Sequence, residues 1–228
     1  MRLLKYRIRN SKLKTQNSKL IMSIVKVKIC GITNLADAAA AVDMGADLLG
    51  FNFYPKSKRY ITPAETAVII DKLPTFVDIA GLFVNATTEY IQEVGEQCFL
   101  NWVQLHGDET PDFCDSVFCP GAKIIKAIRV RTAKDIDKAG QYYTDAVLFD
   151  GYDPQSYGGT GKTFDWDMVS QVDKRVFLAG GITPQNAAQA IEVGVYGIDI
   201  CSGVEKEPGK KDHEKMKLLF ENIKHLRV

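Results

Sequence analysis

A thiol and a carboxylate end two of the apolar, strand-like runs in this chain. Cys30 closes the run KIC at 28–30, and Asp150 closes the run LFD at 148–150. In α/β proteins, ligands bind at the carboxyl ends of the strands. A thiol and a carboxylate placed there are candidates for moving protons, with Cys30 as a general base and Asp150 as a general acid.

Two glycine-containing runs follow the last two predicted strands. Gly180 and Gly181 lie in LAGGITP, and Ser202 and Gly203 lie in CSGV. Glycine lets backbone N–H groups approach a phosphate closely, and barrel enzymes often build a phosphate site from the loops after strands seven and eight. The two runs together predict such a site, with turns that serve only backbone geometry as the alternative.

A third glycine-rich run, GGTGKT at 158–163, matches the Walker A phosphate loop only in part. The Walker A pattern needs a glycine at position 156, where this chain has Ser156. We interpret the segment instead as a mobile loop after the sixth strand, near Asp150, whose glycines allow it to close over a substrate.

Three further polar residues lie at or after the carboxyl ends of predicted strands two and four. Arg59 lies in the basic loop FYPKSKRY, where its planar guanidinium suits bidentate binding of a substrate carboxylate; an ordinary solvated loop is the alternative. Gln104 and His106 lie in QLHG, and His106 either faces the site or has a structural role. The two other histidines of the chain lie in the last predicted helix and directly after it, so we expect no histidine metal site.

Short β-rich runs alternate with helical patterns along the chain. Strands are predicted at 25–29, 48–53, 77–84, 102–105, 123–128, 146–149, 176–178 and 197–200. Helices are predicted at 35–44, 63–72, 88–97, 110–118, 133–141, 164–171, 185–193 and 212–224. Eight such pairs in about 200 residues are typical of a single (β/α)8 TIM barrel, with a doubly wound open sheet as the alternative. The polar candidates follow the strands at one end, where barrel enzymes place their active sites.

The charge is distributed unevenly. Residues 1–21 contain seven lysines and arginines and no acid, which leaves residues 22–228 with 22 basic and 28 acidic residues. An acidic body argues against a nucleic-acid partner. We expect residues 1–21 to be a non-native or disordered extension before a start at Met22, with a transit peptide as the alternative, and residues 22–228 to be the catalytic domain. No run of 18 apolar residues predicts a membrane span.

The five cysteines are odd in number, and the chain lacks a secretory signal. This pattern predicts free thiols in a reducing compartment, the cytoplasm. Cys114 and Cys119 lack a CxxC spacing or a neighbouring histidine, so we expect no zinc site there.

Several motifs in one order carry a family resemblance. They are KICGIT at 28–33, GFNFYPKSKRYI at 50–61, VQLHG at 103–107, FDG at 149–151, YGGTGKTFDW at 157–166, AGGITPQN at 179–186 and DICSGVEKEPGKKD at 199–212. Over residues 24–228 the chain resembles the phosphoribosylanthranilate isomerases of tryptophan biosynthesis. The resemblance implies a (β/α)8 barrel without cofactor or metal, a small phosphorylated substrate, and a monomer or homodimer.

The resemblance also implies roles for individual residues in an Amadori rearrangement. Cys30 would be the general base and Asp150 the general acid, and Arg59 would hold the anthranilate carboxylate. Asp199 would contact a ribose hydroxyl. The other substrate-binding residues implied are Gln104, His106, Gly180, Gly181, Ser202 and Gly203. Gly151, after Asp150, departs from the small or hydroxyl-bearing residue expected there, which affects the assignment little.

Two alternatives to this function are open at the level of sequence. A sugar isomerase of histidine biosynthesis shares the fold and reaction type, but it uses an aspartate where Cys30 stands. A non-catalytic phosphate-binding barrel or partner subunit would need neither Cys30 nor Asp150, so the presence of both argues against it.

Overall fold

The structure is a computed structural model, and it describes residues 24–151 and 164–227. The N-terminal extension 1–21 and the glycine-rich run at 158–163 lie outside the described residues. Among the described residues, no helix is long and apolar enough to cross a membrane.

Eight parallel strands form a closed barrel in the order of the chain, because β8 pairs with β1 as well as with β7. The strands are β1 Lys26–Cys30, β2 Leu48–Asn52, β3 Asp78–Phe83, β4 Trp102–Leu105, β5 Lys123–Val130, β6 Ala146–Gly151, β7 Val176–Leu178 and β8 Gly197–Ile200. The predicted single TIM barrel is therefore confirmed, and the open sheet is excluded.

The helices surround the barrel at α1 Leu35–Asp43, α2 Pro63–Ile70, α3 Thr88–Gln97, α4 Pro111–Ser116, α5 Ala133–Asp137, α6 Ala187–Glu192 and α7 His213–Ile223. At the N-termini of several helices, a side-chain oxygen accepts a hydrogen bond from a backbone N–H group of the first turn. Asn34 accepts a hydrogen bond from the backbone of Asp37, and Thr62 forms a capping box with Glu65.

Three elements differ from the sequence prediction. The helix predicted at 133–141 is an α-helix only over Ala133–Asp137 and continues as a 3₁₀ turn, Lys138–Gln141. The helix predicted at 164–171 is a short 3₁₀ turn, Trp166–Val169, whose two buried residues are Trp166 and Val169. Their spacing of three suits the three residues per turn of a 3₁₀ helix. After β8, the chain adds a small antiparallel hairpin of β9 Glu205–Glu207 and β10 Lys210–Lys211, which the prediction did not include.

The inside of the barrel is divided along its axis. Large apolar side chains fill the part towards the strand N-termini, where the rings of Trp102 and Phe177 meet edge to face at 5.9 Å. Side chains alternate between the two faces of a strand. Gln104, two residues after Trp102, therefore points into the barrel as well, and so does His106 after it. Among the described residues, Gln104 and His106 are polar side chains that this alternation brings into the barrel near its carboxyl end.

The loops after β7 and β8 touch each other at this end. Gly180 and Gly181 both have positive φ, at 86° and 68°, which glycine adopts readily. Gly203 packs so closely that a Cβ there would lie 1.9 Å from the carbonyl oxygen of Ile182. The two predicted glycine loops therefore form one continuous surface.

We expect Gly203→Ala to destabilise the fold by about 1–3 kcal/mol, because the added methyl group must push the backbone of the neighbouring loop away. Urea unfolding measures this difference. Gly140→Ala is the matched control, since a Cβ at Gly140 meets nothing within 4 Å. Equal stability of the two variants would contradict the close packing of the loops.

Candidate active site

The carboxyl end of the barrel gathers the polar residues that the sequence analysis selected. Cys30 is the last residue of β1, and Asp150 lies near the end of β6; both are buried. Gln104, His106 and Asp199 are buried beside them, on β4, in the loop that follows it and on β8. The arrangement is therefore one site inside the barrel mouth.

A lysine that the sequence analysis missed connects these residues. Lys28 is completely buried, and its Nζ donates to Oε1 of Gln104 at 2.8 Å and to Oδ2 of Asp199 at 2.9 Å. Burial alone lowers the pKa of Lys28, but the charges of Asp199 and Cys30 outweigh it and raise the pKa above the usual value. The signal in the sequence was a lysine two residues before Cys30, in phase with it, in a strand that is otherwise buried.

Cys30 is held in an environment that favours the thiolate. The pKa of Cys30 is well below that of an ordinary thiol, first because the thiol of Cys201 donates a hydrogen bond to it. Burial opposes this shift, and the positive charges of Lys28 and Lys211 support it. The Cys201 thiol, as the donor of this pair, has a raised pKa. A thiolate at this position can accept a proton from a bound molecule.

Asp199 is the second partner of Lys28 and lies beside it on β8. Burial raises the pKa of Asp199 to about 7, although the charge of Lys28 opposes the shift. Its Oδ2 binds Lys28, whereas its buried Oδ1 has no hydrogen-bond partner among the described residues. A buried carboxylate oxygen without a partner is unusual, and it suits a polar group of a ligand.

His106 stands between Gln104 and Asp150. Its Nδ1 lies 2.8 Å from Nε2 of Gln104, and its Nε2 lies 3.4 Å from Oδ2 of Asp150. The second distance is longer than an ordinary hydrogen bond, and this Nε2 has no hydrogen-bond partner among the described residues. Asp150 therefore has a polar neighbour that approaches it without binding it tightly.

Arg59 lies at the rim, over the residue after Cys30. A Cβ on Gly31 would lie 2.6 Å from Cδ of Arg59 and 3.0 Å from Sγ of Cys201. The guanidinium binds Glu205 with two nitrogens, Nε at 2.9 Å and Nη2 at 2.7 Å. Hydrogen bonds to Glu205 outweigh burial and raise the pKa of Arg59, so it remains a cation.

Glu205, which the sequence analysis also missed, organises this rim. It accepts from Arg59 and, at 3.0 Å, from Nζ of the buried Lys211. The same Nζ donates to the carbonyl oxygens of Cys30 and Cys201, at the ends of β1 and β8. The short hairpin after β8 thus holds the two strand ends together beneath Arg59.

The predicted phosphate residues lie next to this rim, in the paired loops after β7 and β8. Asn186 fixes the first loop, because its side chain accepts from the backbone N–H of Thr183 and donates to the carbonyl oxygen of Gly181. Ser202 and Gly203 form a 3₁₀ turn with Val204 in the second loop. The loops combine glycine backbone with a hydroxyl, as an anion site requires.

Comparison with known proteins finds one family of isomerases that is similar to this chain over nearly all of the described residues. The family model described as N-(5'-phosphoribosyl)anthranilate (PRA) isomerase matches residues 27–222. The isomerase of that name from Trichlorobacter lovleyi is 47% identical over 205 residues, which cover 88% of this chain and 98% of the relative.

Solved structures agree with this match. The phosphoribosyl anthranilate isomerase of Thermotoga maritima is 42% identical, with a TM-score of 0.81, over 88% of this chain and 99% of the other. The enzyme of Thermus thermophilus is 35% identical, with a TM-score of 0.82, over 89% and 100%. One structure of this isomerase, 39% identical with a TM-score of 0.78 over 88% and 99%, contains reduced 1-(o-carboxyphenylamino)-1-deoxyribulose 5-phosphate.

We expect iodoacetamide to modify Cys30 faster than the other cysteines at pH 7. The lowered pKa of Cys30 increases its thiolate fraction at this pH, whereas burial raises the pKa of Cys98 and of Cys114 to about 11. Lowering the pH from 8 to 6 should slow its modification less than the roughly hundredfold loss of an ordinary thiol of pKa near 8.5. Peptide mass spectrometry identifies the site, and faster labelling of Cys98 or Cys114 would contradict the assignment.

Proposed function

The chain belongs to the N-(5'-phosphoribosyl)anthranilate isomerase family, and we propose that Cys30 and Asp150 carry out the reaction of that family here. The enzyme converts N-(5-phospho-β-D-ribosyl)anthranilate to 1-(2-carboxyphenylamino)-1-deoxy-D-ribulose 5-phosphate in tryptophan biosynthesis. The observation that carries the proposal is the thiolate-favouring environment of Cys30 inside the same mouth as Asp150.

The reaction needs one acid and one base. Asp150 gives a proton to the furanose oxygen as the ring opens, which leaves an iminium ion on the anthranilate nitrogen. The iminium acidifies the adjacent sugar carbon, and the Cys30 thiolate removes a proton there to form an enolamine. The enolamine then takes up a proton at C1 and releases the proton of its C2 hydroxyl group, which gives the ketose. The hydrogen lost from C2 is thus replaced by one gained at C1, and because every step is a proton transfer, no redox partner is consumed.

The positions of β1 and β6 around the barrel allow the base and the acid to reach different sides of one substrate. In a closed barrel of eight strands in chain order, β1 and β6 are three strands apart around the ring, one short of the directly opposite position. A substrate between Cys30 and Asp150 would thus have the base on one side and the acid on the other. Acid and base groups of this kind each contribute roughly 10²–10⁴-fold to the rate.

Other residues would hold the two charged ends of the substrate. Arg59 is a half-buried cation at the rim above Cys30, and we assign the anthranilate carboxylate to it. The paired loops carry Gly180, Gly181, Ser202 and Gly203, and we assign the phosphate to them. Oδ1 of Asp199, which has no partner among the described residues, would accept a hydrogen bond from a ribose hydroxyl.

Kinetics of single variants test the assignment. We expect Asp150→Asn and Cys30→Ser each to lower kcat by roughly 10²–10⁴-fold with little change in KM, because each removes a proton transfer and keeps the side-chain size. Arg59→Lys should raise KM more than it lowers kcat, since lysine keeps the charge but not the planar guanidinium. The measurement is the loss of phosphoribosylanthranilate fluorescence.

Circular dichroism and thermal unfolding should show folded variants in each case. A Cys30→Ser or Asp150→Asn enzyme within about threefold of the original kcat would refute the corresponding role, because loss of a general acid or base costs far more.

We also propose that the enzyme is a homodimer that associates through the N-terminal end of its barrel. Four aromatic residues, each 69–84% exposed, precede four neighbouring strands, β3 to β6: Phe76, Phe99, Phe118 and Tyr143. Exposed aromatic groups that share one face are typical of an interface. A solved structure of the Thermotoga maritima enzyme, 40% identical, describes that protein as dimeric.

Light scattering after size-exclusion chromatography tests the dimer. We expect the mass of a dimer for the natural sequence and of a monomer for the double variant Phe76→Asp, Phe99→Asp, because two charges would have to be buried at the interface. Val68→Asp is the control, since Val68 is 60% exposed on the outer helix α2. A natural chain that elutes as a monomer would refute the interface.

A further inference from the structure

A continuous row of side chains crosses the barrel mouth from the β1 side to Asp150. Nζ of Lys28 donates to Oε1 of Gln104 at 2.8 Å, and Nε2 of Gln104 lies 2.8 Å from Nδ1 of His106. Nε2 of His106 lies 3.4 Å from Oδ2 of Asp150. Lys28 and Gln104 are fully buried, and His106 is 4% exposed, so protein contacts rather than solvent determine how each group is oriented.

The ammonium group fixes the orientation of the Gln104 amide. An ammonium has donors and no acceptor, so the amide oxygen must face Lys28 and the amide nitrogen must face His106. The reverse orientation would place two groups of donors 2.8 Å apart in a buried site. A side-chain amide is usually free to choose between two orientations, but this one is not.

The amide in turn fixes the protonation pattern of His106. The amide nitrogen is only a donor, so Nδ1 of His106 must offer its lone pair. The ring proton then resides on Nε2, which faces Oδ2 of Asp150. The imidazole therefore presents an N–H group, rather than a lone pair, to the carboxyl group.

We propose that Lys28 and Gln104 are positioning residues that hold His106 as its Nε2–H tautomer, and that this N–H stabilises the Asp150 carboxylate formed during catalysis. The proposal rests on the proposed role of Asp150 as the acid. When the O–H bond of Asp150 breaks and its proton joins the furanose oxygen, the new carboxylate accepts a hydrogen bond from Nε2–H. His106 keeps its own proton throughout.

The geometry places this help in the transition state. At 3.4 Å the contact between His106 and Asp150 is weak before reaction, and it strengthens as negative charge develops on the carboxylate. An interaction that is stronger in the transition state than in the ground state raises kcat rather than substrate affinity. The opposite tautomer would face the new carboxylate with a lone pair. This repulsion would raise the free energy of the state in which Asp150 is ionised.

The substitution Gln104→Glu tests the mechanism at nearly constant size. A carboxylate still accepts from Lys28, but it also accepts from His106, so the ring proton should move to Nδ1 and leave a bare Nε2 facing Asp150. Long-range proton–nitrogen NMR of histidine-labelled enzyme distinguishes the two tautomers. His106→Gln identifies the His106 signals, and the exposed residue Gln171, changed to Glu, is the control for an added charge.

We expect the Nε2–H tautomer in the natural enzyme, the Nδ1–H tautomer in Gln104→Glu, and a fall in kcat of at least about tenfold with KM within about threefold. Gln171→Glu should change neither. A natural enzyme with an Nδ1–H or mixed tautomer would overturn the proposal. So would a reversed tautomer with unchanged kcat.

Two further measurements separate the possible causes of a lower rate. The rate of Cys30 alkylation against pH measures how far the added carboxylate beside Lys28 shifts the ionisation of Cys30. We expect kcat of Gln104→Glu to stay at least about tenfold low at a pH where Cys30 is equally ionised in both enzymes. Recovery of kcat at that pH would assign the loss to the base and overturn the proposal. If Asp150→Asn keeps its activity while the tautomer is as expected, the proposed role of Asp150 fails and the tautomer assignment stands by itself.

Discussion

A lysine ammonium buried inside a barrel is the constraint on which this site depends. An unpaired buried charge costs several kcal/mol, so Lys28 can be tolerated only if its partners are in place. Asp199 on β8 and Gln104 on β4 supply these partners. The positive charge of Lys28 also lowers the pKa of Cys30. In return, the dry surroundings make the ammonium act on the thiol far more strongly than it would in water. The barrel interior thus holds a cation next to Cys30, at a position where an apolar side chain would be the usual choice.

At the rim of the barrel, a second set of ion pairs holds positively charged side chains in place. Arg59 and Lys211 are both cations that share the carboxylate of Glu205, so the positive charge near the mouth is oriented rather than mobile. Glu205 comes from the hairpin after β8, whereas Arg59 comes from the loop after β2. The interior therefore sets the protonation of Cys30, and the rim sets the direction from which an anionic group can approach. The two networks meet at Cys30 and Cys201.

The sequence predicted most of the scaffold and part of the site. Strands β4, β7 and β8 match the prediction to the residue, because short apolar runs between polar turns define them well. The turn at Trp166–Val169 was overpredicted as a helix because two buried residues three apart fit either geometry. The hairpin after β8 was missed, since EKEPGKK carries no apolar alternation. Lys28 and Glu205 could not be assigned roles, because a charged residue acquires a role only through partners, and those of Lys28 lie 76 and 171 residues away.

These separations in sequence also bear on how the protein acquires its structure. The ammonium of Lys28 finds Asp199 only after β8, almost the last element of the chain, has closed onto β1. Contacts between distant residues form slowly, because a long loop must be ordered before they contribute. During synthesis, Lys28 therefore cannot bind Asp199 until nearly the whole polypeptide has emerged. Closure of the barrel and completion of the network around Lys28 then become a single late event, so in a partly folded intermediate the Cys30 thiol would resemble that of any other cysteine.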